Sequence, residues 1–178
     1  MRGIRMDLTV RRMVSRASSG HDGRMVRLRD LSDAERDHIM AKELPTFDSE
    51  PWVEGPPLAE RRLAIITTAG LHRRDDEAFN FVDLSYRVIP ASTDTSTLTM
   101  THSSVHFDRS GFREDVNTVF PLDRLDELAA DGVIDSVADH HYSLMGAGWP
   151  PEMIEPTCDE LARLLHADHV TAVCLVPV

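Results

Sequence analysis

The spacing of apolar and polar positions separates strands from helices along this chain. Arg62-Leu63-Ala64-Ile65-Ile66-Thr67-Thr68-Ala69-Gly70 is an apolar run that dissolves into small residues, the pattern of a buried strand entering a turn. Shorter runs predict strands at Tyr86 to Ile89, Leu98 to Ser103, Val137 to Leu144 and Thr171 to Val176. Leu122, Leu125 and Leu128 recur every three residues behind Pro121, and Gly132 follows, which predicts a helix with one apolar face. A second helix is predicted from near Pro156 to His166, and a few residues later the last strand begins. Helix, short loop and apolar strand in that order make a parallel crossover unit.

Upstream, Ser32-Asp33-Ala34-Glu35 reads as a capping box that opens a helix, closed soon after by Pro45. Residues 51–57 are too rich in proline for a helix or central strand and predict an ordered loop anchored by Trp52. The expected architecture is a layered, Rossmann-like α/β domain with a mostly parallel sheet over residues 25–178. It is expected to be incomplete at its C-terminus. Functional groups in parallel sheets gather beyond the carboxyl ends of strands, and the apolar run closing on Pro177-Val178 stops at such a point. An apolar strand left without its neighbours would make the domain prone to aggregate.

Composition narrows the function classes. The 178 residues suit one domain, and a net charge of −11 disfavours nucleic acid and anionic membrane as partners. Charge is uneven: residues 1–24 carry six arginines against two aspartates, and the remainder 13 basic against 28 acidic residues, a net of −15. Residues 1–24 therefore read as a disordered basic tail, or as a start placed upstream of a true beginning at Met25. Two cysteines outside any CxxC pair disfavour a disulfide framework and a cysteine zinc site. With no signal-peptide pattern or membrane-spanning run, the expected compartment is the cytoplasm. Lys42 is the sole lysine among many arginines, a bias expected of a GC-rich bacterial coding sequence.

His102, His106 and Asp108 form the best polar constellation. His102 falls near the carboxyl end of a predicted strand, and with Asp108 it suits proton handling or orientation of a carboxylate, so both are candidate catalytic residues. A structural role for His102 stands equally open. The His-x3-His spacing of His102 and His106 does not bind metal on a strand, so no metal site is expected. Cys174 lies within an apolar strand and reads as a small buried hydrophobe. Cys158, placed near a helix N-terminus, is open to a lowered pKa but has no marked substrate site beside it. In His140-His141-Tyr142 only one imidazole can face each side of a strand, so solvated and core roles are expected. Thr67 to Gly70 has backbone amides suited to a carboxylate, but there is no GxGxxG or Walker lysine, so no cofactor-binding residues are assigned. Gly146-Ala147-Gly148 reads as a close-packed turn, and Asp75, Asp76 and Glu77 as a solvated acidic loop.

Several ordered blocks resemble one family. They are Ser49 to Arg62 (SEPWVEGPPLAERR), Ala64 to His72 (AIITTAGLH), Ser85 to Pro90, Thr101-His102 with Phe107-Asp108, Asp115 to Leu125 (DVNTVFPLDRL), Met145-Gly146-Ala147 and Ala172 to Val178. Together they resemble the N-terminal part of selenoprotein B of the glycine, sarcosine, betaine and D-proline reductases.

That resemblance implies an oxidoreductase in which a selenol or thiol reduces a small amino-acid-like substrate, recycled by a dithiol reductant. It implies a selenocysteine or cysteine immediately after Val178, followed by a further α/β segment. The expectation is thus a chain read as truncated at a selenocysteine codon and inactive by itself. Partner reductase subunits or a homo-oligomer are implied too. Two other readings are a non-catalytic subunit or interaction domain of the same fold, and a hydrolase or isomerase using His102 and Asp108.

Overall fold

The structure, a computed structural model, describes residues 28–41, 53–103, 109–146 and 150–178. The chain divides into two compact units, Met1–Thr46 and Phe47–Val178. In the first, a 3-10 turn at Leu28–Asp30 precedes helix α1, Asp33–Met40. The Ser32 side chain accepts from the Glu35 amide while Glu35 reaches back to the Ser32 amide, so the capping box forms as its sequence predicts. Residues 1–24, Pro45 and Trp52 lie outside the described residues.

The second unit is built on strand β1, Arg62–Thr67. Strand β2, Leu71–His72, pairs antiparallel with β4, Thr99–Met100, as a small ribbon. Strand β3, Tyr86–Pro90, runs antiparallel to β6, His140–Leu144. Strands β5, Ser136–Val137, and β6 pair parallel with the beginning and end of β1, and β7, Ala172–Val176, pairs parallel along it. The fold is therefore mixed α/β with a mostly parallel sheet.

Adjacent β1 residues point to opposite faces and collect two cores. Ile65 packs with Leu71, Ile89, Phe120, Leu122 and Leu125, the two leucines coming from helix α3, Leu122–Ala130. Ile66 packs on the other side with Tyr142, Leu144 and Leu161 from helix α4, Pro151–Ala167. Among the described residues this unit also holds a short helix α2, Ser110–Glu114.

Three element boundaries differ from expectation. The strand predicted over Leu98 to Ser103 is reduced to Thr99–Met100: the 3-10 turn at Thr95–Thr97, capped by Asp94 through the Ser96 amide, takes Leu98 as its end, and the partner β2 offers only two residues to pair with. His102 therefore sits in irregular chain beyond β4. The strand predicted over Val137 to Leu144 is broken at Ala138 and Asp139 into β5 and β6. The helix predicted from near Pro156 begins at Pro151, and Pro156 lies inside it. A proline in the first turn costs no helical hydrogen bond, which suits Pro151; Pro156 forfeits one and the helix continues regardless. Both helix ends are Schellman caps: Gly132 stands left-handed at φ 68 after α3, and His169 at φ 55 after α4.

Candidate functional site

The carboxyl ends of β1, β6 and β7 converge at Thr68, Gly146 and Val178. In a regular parallel ladder the Thr68 amide donates to Val176 and the Thr68 carbonyl accepts from Val178. The first bond forms, at 3.1 Å, but the Thr68 carbonyl instead accepts the Gly146 amide at 3.0 Å. The Val178 amide donates to the Thr68 hydroxyl at 2.8 Å, and that hydroxyl is 3.3 Å from the Val178 carbonyl oxygen. One threonine thus holds two chain segments.

His102 closes this cluster from the loop after β4. It is 4% exposed, and its carbonyl accepts from the Arg109 guanidinium. Burial lowers its pKa, as does the charge of Arg109, while the nearby Val178 backbone opposes them. The imidazole is therefore neutral at physiological pH.

Two glycines allow this close approach. A Cβ at Gly146 would stand 2.9 Å from the carbonyl oxygens of both Thr68 and Val178, and 3.1 Å from His102 Nε2. Gly70, at φ 63, occupies a conformation that side chains rarely adopt, and a Cβ there would meet the His102 backbone at 3.2 Å. Gly146 is the close-packed turn its sequence suggested; Ala147 and Gly148 lie outside the described residues.

The other candidates distribute as follows. Asp108 and His106 lie outside the described residues. Cys174 is half-buried against the core with its pKa raised by burial. Cys158 departs from its expected place at a helix start: two turns into α4, it is raised by burial and then by the charges of Asp159 and Glu155. His140 is exposed and His141 fully buried, as alternation requires. His141 Nδ1 accepts from the Ile65 amide at 3.0 Å, and burial lowers its pKa to about 4.

Two readings need correction. The amides of Thr68, Ala69 and Gly70 are committed to the Val176 carbonyl, the Thr67 hydroxyl and the Leu144 carbonyl, so this turn offers no anion cradle. The acidic stretch at residues 75–77 is not wholly solvated, because Asp76 pairs with Arg73 at 2.9 Å and is mostly buried. Among the described residues no group of three His, Cys, Asp or Glu side chains stands close enough to hold a metal ion. No helix among them is long and apolar enough to cross a membrane.

Sequence reasoning missed the Thr68 hydroxyl, because its partner Val178 lies 110 positions away along the chain. It missed Arg109 because nothing in the sequence brings that guanidinium to the His102 carbonyl.

The family model for glycine/sarcosine/betaine reductase selenoprotein B matches residues 41–178, most of the chain and every residue of this site. The chain belongs to that selenoprotein B family. It is similar to subunit gamma of D-proline reductase from Acetoanaerobium sticklandii, with 33% identity over 120 residues. The aligned region takes in 66% of this chain and 49% of that subunit, so this family member spans about half the length of the curated relative it matches. No solved structure matches.

Proposed function

We propose that this family member is part of a reductase in which a selenol or thiol, placed directly after Val178, reduces a small amino-acid-like substrate with electrons from a dithiol reductant. In this reading the Rossmann-like sheet is completed by chain beyond Val178, and the protein works beside partner reductase subunits. The observation that carries it is the convergence of Thr68, Gly146 and the buried His102 on the backbone of Val178. Val178 stands just past the carboxyl end of β7, where parallel sheets present their chemistry.

The residues present suit such a group. Reactive thiols and selenols work as anions and need exposure with positive charge nearby; Arg109, whose guanidinium meets the His102 carbonyl, is proposed to supply that charge. A selenol or thiol at that position supplies the nucleophile. His102, neutral and buried, holds or accepts a proton at its imidazole, and Asp108 is proposed as its acidic companion. Gly146 keeps side-chain bulk out of the space between His102 and the strand end.

A second reading is a non-catalytic subunit of the same fold. It is favoured by the chain's own cysteines, both held above the ordinary thiol pKa. The codon after Val178 and the frame beyond it separate the two. An in-frame UGA or cysteine codon followed by a long open frame is expected. Protein expressed from that frame should then be alkylated by iodoacetamide at pH 5–6, where ordinary thiols are protonated, if the residue is selenocysteine, or near neutrality if it is an activated cysteine. A different stop with no coding frame beyond it removes the enzymatic reading.

A further inference from the structure

We propose that Thr68 is a positioning residue whose hydroxyl turns the chain out of the β1 ladder at Val178, setting the exit of the next residue beside His102 and Gly146. The inference rests on the reductase reading for its purpose, but its geometry stands in this chain alone.

The ladder shows the diversion directly. Thr67 pairs with Val176 in regular register, and the Thr68 amide makes the next expected bond, to the Val176 carbonyl. The following bond would join the Val178 amide to the Thr68 carbonyl. That carbonyl is instead turned to the Gly146 amide at 3.0 Å, and the Val178 amide is received by the Thr68 side chain at 2.8 Å. Moving the acceptor from carbonyl to side chain displaces the strand end from the path it would follow as a continuing strand. Pro177 has no amide to donate, so Val178 supplies the first backbone donor after β7.

The same displacement brings the Val178 carbonyl to His102 and Gly146. A valine at position 68 keeps the shape and β-branching of threonine but has no acceptor, whereas serine keeps the acceptor. The two substitutions therefore separate positioning from packing.

The test uses Thr68→Val and Thr68→Ser, with far-UV circular dichroism and a cooperative melt confirming that each folds. In the 178-residue chain, Val178 amide exchange should quicken about tenfold in T68V, as loss of one hydrogen bond implies, and by less than about twofold in T68S. The His102 imidazole, followed by NMR, should titrate at lower pH in T68V, because the Val178 contact that raises its pKa is loosened. In protein expressed from the complete frame, the pH profile of alkylation at the residue after Val178 should shift in T68V and return in T68S. Unchanged exchange and His102 titration in T68V, or equal changes in T68S, overturn the proposal. Should the frame encode no selenocysteine or cysteine there, the reductase reading fails, while the exchange and histidine measurements still judge Thr68.

Discussion

Arg62 and Asp168 meet at 2.6 Å, joining the first residue of β1 to the C-cap of α4. The guanidinium also donates to the carbonyls of Asp168 at 2.8 Å and Val137 at 2.7 Å, and lies 3.2 Å from Asp139. Burial pushes the Asp168 carboxyl up, but the Arg62 hydrogen bond and charge, with a backbone bond from His140, outweigh it and hold the pKa low. One side chain thus ties together β1, β5 and α4 at the amino end of the sheet.

Replacing Arg62 by methionine should cost about 2–4 kcal/mol, because it strands a mostly buried carboxylate and two carbonyls. Lysine should recover only part of this, since an ammonium cannot reproduce the planar fork. Urea denaturation at pH 7 measures both variants. A loss below 0.5 kcal/mol for R62M, a threshold typical of surface substitutions, would show that the network contributes nothing.

Acid should weaken the fold through His141 before the carboxylates respond. Burial holds its folded pKa at about 4, below the ordinary value of 6.5, so the unfolded chain binds the extra proton first. Its contribution is fully present above pH 6.5 and falls as pH drops toward 4, by about 3 kcal/mol at 1.36 kcal/mol per unit. Asp76, Asp83 and Asp168 are held below the usual carboxylate range, so their contributions fade at lower pH still. Urea midpoints between pH 7 and pH 4 should fall in the wild type and flatten in His141→Gln.

The two Schellman caps should respond in opposite directions. Gly132→Ala places a side chain in the left-handed region and should cost about 1 kcal/mol. His169→Gly removes the same penalty after α4 and should gain up to about 1 kcal/mol. Thermal melts of the two variants give the signs; a stabilising G132A would contradict the assignment.

Leu175 is 67% exposed and Val173 is also open, on the α4-side face of β7 beyond the core that includes Leu161. Leu175→Glu should leave the unfolding free energy within about 0.5 kcal/mol, as exposed positions do, and lower light scattering of concentrated solutions. A large loss of stability would mean that this face is covered in solution.

The local elements were legible in the sequence because short-range chemistry specifies them. Ser32 and Glu35 are three residues apart and cap their helix without help. Gly132 ends α3 for want of a Cβ, and the leucines of α3 face the core by spacing alone. The family, too, was readable, since its blocks survive in order from Ser49 to Val178. Other features depended on partners distant in the chain. Pro156 reads locally as a helix start, yet α4 runs through it, held by Thr157 to the Leu84 carbonyl and by Tyr86 to Glu160. No local rule says that the Thr68 carbonyl is taken by Gly146, leaving its hydroxyl to receive Val178 across 110 positions of sequence. Periodicity and capping act within a few residues and belong to the sequence; which donor reaches which acceptor is settled only when the sheet brings strand ends together.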